Sequence, residues 1–360
     1  MSKNIMVIFG GRSNENEISI ITGCMIANVL KKAGKNVVLV YVSQQGDFYT
    51  GEKLADLEYF KSGDFTGCDS AIFEKGGIYA LIKRKKLKNF IKIDAAVNCC
   101  HGGNGEGGGV SGMLNMYQIP CASAGVFESS VFMDKYLTKL ILEPLGVKTA
   151  PYVYVKKGEK AQVEQYPAII KPCKLGSSIG IEVVNNEKEL SAALETAFEY
   201  DDGVIIEKFL PDKREINCAA YLGDELCISD CEEVFSDKVY SYDDKYSGGA
   251  KNKIPANLPP DTARLIKETT KKVYEKLNMR GIIRIDYIIS GGEVYLSEVN
   301  TVPGSLSYYL LSQNLKSFSA VLEKAIDRAV KDFKILQSKT VLNTGILNNF
   351  SSNACKSCRK

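Results

Sequence analysis

The stretch that decides the fold is residues 281–304, GIIRIDYIISGGEVYLSEVNTVPG, in which two apolar-rich runs flank a pair of glycines. This pattern predicts a β-hairpin. Side chains two positions apart on a strand point to the same face, so Arg284 faces the same way as Asp286, and Glu298 the same way as Asn300. The apolar neighbours indicate burial, and a buried carboxylate is costly unless it is paired or binds a metal. An exposed ladder of salt bridges is the alternative.

Two carboxylates and a carboxamide form a set of oxygen ligands that suits Mg²⁺ bridging the phosphates of ATP. His101 is the only histidine of the chain, which excludes a zinc site built from several histidines. A two-residue turn at Gly291-Gly292 would place Asp286 and Glu298 on opposite faces of the hairpin. A shared metal site therefore predicts a turn with an odd residue count, such as a three-residue turn with a glycine in the left-handed conformation.

Residues 171–180, KPCKLGSSIG, are a candidate for phosphate binding. A predicted strand delivers Lys171, and the backbone N–H groups of the following loop, with the hydroxyls of Ser177 and Ser178, can surround polyphosphate oxygens. A flexible hairpin with a surface lysine is the alternative. The glycine pattern of residues 103–108 lacks the downstream acidic residue of a dinucleotide site, and no P-loop motif occurs.

Composition limits the class of protein. A chain of 360 residues predicts two or three lobes, and a net charge of +3 gives no reason to expect a nucleic-acid or membrane partner. No run of about 18 apolar residues occurs, and we expect no signal peptide. The 11 scattered cysteines, an odd count, fit reduced thiols. We therefore expect a cytoplasmic protein.

The order of predicted elements indicates the fold class. Strands and helices alternate in the first third, which favours an α/β fold with a parallel sheet covered on both faces. Later segments are α+β, with a helix predicted at 131–145. The predicted domains are an N-terminal α/β substrate domain (1–125), a central lobe (126–210), a C-terminal lobe with the metal site (211–337) and a disordered polar tail (338–360). The tail's Cys355 and Cys358 lack a second pair of metal ligands.

In this order and spacing the motifs resemble the D-alanine–D-alanine ligases of the ATP-grasp class, over roughly residues 3–335. The blocks that carry the resemblance are 10–19 (GGRSNENEIS), 101–107 (HGGNGEG), 133–135 (MDK), 171–180, and 281–286 (GIIRID) with 298–304 (EVNTVPG). The resemblance implies a three-lobed ATP-grasp fold, in which an N-terminal parallel-sheet domain and two α+β lobes enclose ATP.

The resemblance also implies roles for individual residues. The implied ATP-binding residues are Lys135, Lys171, Ser177, Ser178, Glu207, Phe209, Leu210, Glu215, Lys245 and Asn300. Of these, the implied adenine and ribose pocket is formed by Glu207, Phe209, Leu210 and Glu215. The implied ligands of two Mg²⁺ ions, with Mn²⁺ as an alternative, are Asp286, Glu298 and Asn300. The implied catalytic residues are Glu15, Ser177, Tyr246, Arg284 and Gly304, and the implied substrate-binding residues are His101, Tyr308, Tyr309 and Leu310.

Within that set, the resemblance implies that Glu15 receives the ammonium of the first amino acid and that Ser177 and Tyr246 complete a hydrogen-bonded triad with it. Arg284 and the backbone of Gly304 stabilise the oxyanion. Residues 241–253 are the predicted loop that covers the phosphates. His101 contacts the first substrate, and a capping role at the end of its strand is the alternative.

The implied activity is ATP-dependent ligation of two D-amino acids, D-Ala with D-Ala, through an acyl phosphate, for peptidoglycan synthesis. Family members commonly form homodimers. The chain departs from the family pattern at Leu175, usually glutamate, at Gly107, usually aspartate, and at Tyr308 and Tyr309, where histidine and serine are usual. These departures leave two alternatives open: a ligase with another acceptor, such as D-Ser, and a nucleotide-binding protein that has lost the activity. The retained lysines and metal set disfavour the second.

Overall fold

The computed structural model describes residues 3–65, 67–82, 86–87, 90–235 and 251–349. Its strands are β1 (Asn4–Gly10), β2 (Asn36–Val42), β3 (Phe48–Thr50), β4 (Asp69–Glu74), β5 (Gly77–Ile82), β6 (Lys86–Leu87), β7 (Ile91–Lys92), β8 (Ala95–Asn98), β9 (Tyr152–Lys156), β10 (Ala168–Pro172), β11 (Glu182–Val184), β12 (Gly203–Lys208), β13 (Arg214–Leu222), β14 (Leu226–Ile228), β15 (Glu232–Phe235), β16 (Lys251–Lys253), β17 (Ile282–Ser290) and β18 (Glu293–Asn300).

Its α-helices are α1 (Asn16–Lys32), α2 (Leu57–Lys61), α3 (Gly103–Glu106), α4 (Gly109–Met116), α5 (Val126–Met133), α6 (Lys135–Leu142), α7 (Glu187–Ala197), α8 (Pro260–Lys276), α9 (Tyr308–Leu311) and α10 (Leu315–Gln337). Short 3₁₀ segments lie at Glu52–Ala55, Glu143–Leu145, Gly304–Ser307 and Ile346–Asn349.

The first sheet confirms the predicted α/β class and adds an antiparallel half to it. Its order is β6-β5-β4-β3-β2-β1-β8, with β7 beside β5. Among its described strands, β1 pairs in parallel with β2 and with β8, and α1 provides the crossover from β1 to β2 that parallel neighbours need. A short turn joins β4 and β5 in antiparallel order.

Two further sheets follow within the described residues. The second has the order β11-β10-β12-β9, and the third has the order β16-β15-β13-β17-β18, with β14 beside β13. All strand pairs of both sheets are antiparallel, which agrees with the predicted α+β lobes. The domain boundaries 1–125, 126–210 and 211–337 stay predictions.

The predicted helix at 131–145 is wrong in its extent. Asp134 is extended, with φ −104° and ψ 114°, so one helix ends at Met133 and another begins at Lys135. The Asp134 side chain accepts hydrogen bonds from the backbone N–H groups of Tyr136 and Leu137. This cap satisfies the free donors of α6 and starts the helix at Lys135.

The largest buried cluster joins the two ends of the chain. Apolar residues of β1 and α1 pack with those of α10, among them Phe318, Val321, Leu322 and Ile326. The nine cysteines within the described ranges are free thiols. No helix in that part of the chain is long and apolar enough to cross a membrane. Residues 338–348 are exposed or nearly so, and the predicted disorder of the tail stays a prediction.

Candidate active site

A cleft of about 470 Å³ lies where the three sheets meet. Of the predicted site residues, it is lined by Glu15, His101, Lys135, Lys171, Ser177, Ser178, Glu207, Phe209, Leu210, Glu215, Arg284, Asp286, Glu298, Asn300, Gly304 and Tyr309. Tyr308 and Leu310 do not line it. Lys245 and Tyr246, and with them most of the predicted loop 241–253, lie outside the described residues, as do Cys355 and Cys358.

The floor of the cleft is a row of polar side chains across the third sheet. Asn217 on β13 is the cross-strand partner of Glu232 on one side and of Asp286 on the other, and Asp286 is in turn the partner of Glu298. Cross-strand partners share a face, so all four side chains point the same way. The Asn217 amide donates to the Glu232 carboxylate at 3.0 Å. Four strands therefore present one line of oxygen atoms.

The positive charge of the floor comes from Arg284, which lies two positions before Asp286 on the same face of β17. Arg284 donates two hydrogen bonds to Asp286, 2.7 Å and 2.8 Å long, and the Asn300 amide donates to the same carboxylate at 3.0 Å. Burial alone would lower the pKa of Arg284, but the Asp286 carboxylate raises that pKa well above its ordinary value. Arg284 therefore remains a cation in the cleft.

The predicted three-residue turn is wrong, yet Asp286 and Glu298 still share a face. The turn has two residues, Gly291 and Gly292, with φ of 59° and 81°, as a tight hairpin turn requires. The register then shifts between Tyr287 and Asp286, because Ser297 is an extra residue on β18. This β-bulge places the extra residue in the strand, whereas the prediction placed it in the turn.

The phosphate side of the cleft carries the two predicted lysines. Lys171 on β10 contacts Glu207 at 2.5 Å, and Lys135, the first residue of α6, donates to the carbonyl of Leu175 at 2.5 Å. Ser177 and Ser178 have φ of 54° and 59°. This left-handed conformation turns the loop back between the two lysines, and residues other than glycine adopt it at a cost that is common at functional sites.

Glu15 links the first lobe to the phosphate loop. The Ser177 hydroxyl donates a hydrogen bond to its carboxylate. Gly102 lies so close that a Cβ there would be 2.5 Å from a Glu15 oxygen, and its φ of 62° also favours glycine. Burial and the Glu15 charge raise the pKa of the neighbouring Glu106 to about 8. Glu106 accepts hydrogen bonds from the backbone N–H groups of Thr301 and Val302, which follow the strand that carries Asn300.

His101 is buried and holds two parts of the chain together. Its Nε2 lies 2.9 Å from the Thr22 hydroxyl, and the ring also bonds to the backbone of Val302. Thr22 in turn accepts a hydrogen bond from the backbone N–H of Ser305 at 3.2 Å. Burial lowers the pKa of His101 to about 4, so the imidazole is neutral at neutral pH. The ring therefore fixes the loop that contains Gly304.

The loop after Gly304 has an unusual backbone. Ser305, Leu306 and Ser307 all have positive φ, between 47° and 51°, and the buried Ser307 hydroxyl has no hydrogen-bond partner among the described residues. The turn directs Tyr309 into the cleft, where its hydroxyl lies 3.5 Å from Arg284.

The other two predicted substrate residues of this segment do not reach the cleft. Tyr308 packs its ring against Phe318 of the first lobe's core, and Leu310 is buried. Consecutive residues of a helix point in different directions, so α9 presents only Tyr309 to the site.

The predicted adenine region lies where β12 leads into β13. Phe209 and Leu210 supply apolar surface, and Glu215 pairs with Lys213 at 2.5 Å. The Glu207 carboxylate, however, is occupied by lysines on both sides. The Glu207 side chain therefore points to the phosphate side of the cleft.

The donor set of the floor fits Mg²⁺. Within the described ranges no three His, Cys, Asp or Glu side chains gather as a metal site. Mg²⁺ is commonly held by one or two carboxylates, with phosphate oxygens and water completing its shell. Asp286, Glu298 and the Asn300 carboxamide meet that requirement on one face of one hairpin.

The sequence did not indicate five residues that line the cleft or support it from behind. They are Thr22, Glu106, Lys139, Asn217 and Glu232. Two of them had a local signal: Lys139 lies one helical turn after Lys135, and Glu106 lies in the glycine-rich stretch 101–107. The others reach the site through strand register and long-range contacts.

Comparison with known proteins gives consistent results across the chain. The family model "D-ala D-ala ligase N-terminus" matches residues 4–124, and "D-ala D-ala ligase C-terminus" matches residues 141–331. The D-alanine–D-alanine ligase of Thermosipho africanus is 36% identical, with 93% of this chain and 95% of that protein covered. The ligase of a Nitratiruptor species is also 36% identical, with 94% and 97% covered.

Solved structures of the same kind superpose on the fold. The D-alanine–D-alanine ligase of Helicobacter pylori has a TM-score of 0.76 at 32% identity, covering 90% of this chain and 98% of that one. The VanG D-Ala:D-Ser ligase of Enterococcus faecalis has a TM-score of 0.75 at 25% identity, covering 92% and 100%. The two family models and these relatives, together with the cleft, show that the chain belongs to the D-alanine–D-alanine ligase family.

Proposed function

We propose that this protein is an ATP-dependent ligase that joins two molecules of D-alanine into D-alanyl-D-alanine, the dipeptide used in peptidoglycan synthesis. The observation that carries the proposal is one cleft that joins Lys135 and Lys171 to the Arg284–Asp286 floor and extends to Glu15. Named relatives at 32–36% identity over most of the chain support the same activity.

In the first half-reaction, the carboxylate of the first D-alanine attacks the γ-phosphoryl group of ATP, giving an acyl phosphate and ADP. Lys135 and Lys171 neutralise charge on the phosphates as the group transfers. Glu15, held by Ser177, receives the ammonium of the first substrate and so directs its carboxylate toward the phosphate loop. Neutral His101 adds no positive charge beside that ammonium.

In the second half-reaction, the neutral amine of the second amino acid attacks the acyl carbon and phosphate leaves. Arg284 and the backbone N–H of Gly304 stabilise the oxyanion that develops on the carbonyl. The hydrogen bonds from Thr22 and His101 hold the Gly304 loop in place before the reaction begins. Acyl phosphates hydrolyse readily, so exclusion of water is required, and residues 241–253 are the proposed cover.

We propose that Asp286, Glu298 and Asn300 hold two Mg²⁺ ions, or Mn²⁺ in their place. A metal bound by these residues would supply positive charge that stabilises the transferring phosphoryl group. Its removal by a chelator should stop ADP formation. The Asp286→Ala variant should do the same, whereas near-normal activity of that variant would exclude a metal role for Asp286.

A second candidate differs only in the acceptor. Tyr309 stands in the cleft at the position where relatives usually have a serine, and one structural neighbour is named a D-Ala:D-Ser ligase. A phenol beside Arg284 changes both the volume and the hydrogen bonding available to the second substrate. D-Ser is therefore the alternative acceptor.

One assay separates these readings. ADP release with Mg²⁺-ATP is measured against a panel of D- and L-amino acids, and each product is identified by mass. Turnover with D-alanine alone supports the main proposal. A requirement for D-Ser or another second amino acid would favour the alternative, and no turnover with any of them would indicate a nucleotide-binding protein without the activity.

We further propose a cytoplasmic location, where ATP and the D-alanine pool are available, and a homodimeric assembly, as is common in the family. Sedimentation equilibrium tests the assembly. A concentration-independent monomer mass would exclude the homodimer.

A further inference from the structure

A buried trio of charges lies behind the phosphate side of the cleft. The two oxygens of Glu207 are shared between two lysines: Oε2 contacts the Lys171 ammonium at 2.5 Å and Oε1 contacts the Lys139 ammonium at 2.6 Å. Lys139 and Glu207 are almost fully buried, at 4% and 6% side-chain exposure, whereas Lys171 retains 12% and lines the cleft. Of the two lysines, Lys171 therefore faces the cleft and Lys139 does not.

The surroundings of Lys139 hold its ammonium on Glu207. It projects from α6 one turn after Lys135, donates to the carbonyl of Ala150 at 3.1 Å, and lies 4.9 Å from the centre of the Tyr152 ring. A buried ammonium without a partner is strongly disfavoured, and these three contacts provide the partners. Burial lowers the pKa of Lys139, and the Glu207 charge opposes that effect.

The net charge of the trio determines the electrostatic environment of the nucleotide phosphates. One carboxylate between two ammonium groups leaves a net charge of about +1. Burial alone would raise the pKa of Glu207, but the two lysines lower that pKa to about 2. Without Lys139, Glu207 and Lys171 would form an isolated neutral pair. The Lys171 ammonium would then be held on the carboxylate and away from the phosphates.

We propose that Lys139 is a positioning residue for ATP binding, because it shares the Glu207 carboxylate and so leaves the Lys171 ammonium available to the nucleotide phosphates. This inference rests on the ATP binding of the proposed function but not on the identity of the amino acids. It assigns Glu207 a side-chain role on the phosphate side in place of the predicted adenine contact.

The test compares nucleotide binding in three variants and a control. Lys139→Met removes the charge, Lys139→Gln removes the charge but keeps a donor for Glu207, and Lys139→Met/Glu207→Gln removes both partners of the buried pair. Lys148→Met is the matched control, since Lys148 pairs with Glu293 at the surface. Calorimetric titration with Mg²⁺ and the β,γ-imido analogue of ATP gives the Kd without turnover, and thermal melting reports the fold.

We expect both single variants at Lys139 to raise the analogue Kd roughly tenfold, since a full unit charge is withdrawn close to the phosphates. The KM for D-alanine should not change. The double variant should recover most of the affinity, because Glu207→Gln frees Lys171 again, and Lys148→Met should bind like the parent. If Lys139→Met does not fold, the affinity of Lys139→Gln is compared with that of the parent instead.

Two results would overturn the proposal: unchanged analogue affinity in a folded Lys139 variant, or a double variant that binds no better than Lys139→Met. The second result would show that the lost affinity comes from structural damage, whose effects add in the double variant, and not from a redistribution of charge. If the chain binds the analogue as expected but ligates no amino acid, the proposed function fails and this inference stands.

Discussion

At the scale of single residues, Thr22 is the best test of how the Gly304 loop is held. Its hydroxyl accepts from the Ser305 backbone and lies 2.9 Å from His101. Thr22→Val keeps the shape and leaves both groups without a partner, at a cost of about 1–3 kcal/mol each. We expect kcat to fall about tenfold or more with an unchanged KM for ATP, measured by ADP release.

Thr22→Ser is the control, since serine keeps the hydroxyl on the same helix. It should restore most of the activity. Equal damage in both variants would show that the methyl group, and not the hydrogen bonds, is what matters at this position.

His101 makes stability depend on pH. Its pKa is about 4 in the folded chain against an ordinary value of 6.5, so the unfolded chain takes up a proton first as the pH falls. The stabilisation is therefore complete above about pH 6.5 and is lost as the pH falls toward 4, by up to about 3 kcal/mol. Urea unfolding from pH 7 to pH 4 should show a shallower decline in His101→Gln than in the parent. Identical declines would contradict the buried neutral ring.

Residues in short motifs were predictable, whereas residues that depend on register were not. Glu15, Lys135 and Lys171 stand in local patterns that carry their own chemistry, and the structure brings all three to one cleft. Glu232 has no such pattern, because it reaches the floor only through the pairing of β15 with β13. The pairing of these two strands leaves no local signal in the sequence.

At the scale of elements, the hairpin places Asp286 and Glu298 on one face although the predicted turn is wrong, and their shared metal site stays a prediction. The buried positions of β18 are Leu296 and Val299, three residues apart, whereas a regular strand would repeat every second residue. That spacing was the available sign of a bulge. The prediction placed the extra residue in the turn because turns are the commoner site for it.

Deletion of the bulged residue tests this account. Removing Ser297 leaves Leu296 opposite Tyr287 and Glu298 opposite Asp286, so every other side chain keeps its face. Removing Tyr295 instead would move Leu296 from the core to the cleft face. We expect the second deletion to cost about 2–5 kcal/mol more than the first, measured by urea unfolding. Equal losses would contradict the assignment of Ser297 as the extra residue.

At the scale of the whole molecule, the first sheet is completed by the last helix. β1 and α1 begin the chain, and α10 packs on them from the other end, so the N-terminal lobe is not closed by residues 1–125 alone. The cleft lies between lobes that this shared core holds together. No local pattern in the sequence indicated that α10 completes the core of the first sheet.

Truncation tests whether the first core needs α10 and the residues that follow it. A chain that ends at Gln337 keeps α10 and should melt and release ADP like the full chain. A chain that ends at Asn314 loses a helix whose buried side chains fill the first core. Phe318→Ala alone should cost about 3–5 kcal/mol, a large part of a total stability of about 5–15 kcal/mol, so loss of the whole helix should prevent folding. Leu336→Ala, on the exposed side of the same helix, is the matched control and should stay within about 0.5 kcal/mol. Circular dichroism and soluble yield measure each variant, and a folded chain ending at Asn314 would show that the first lobe closes without α10.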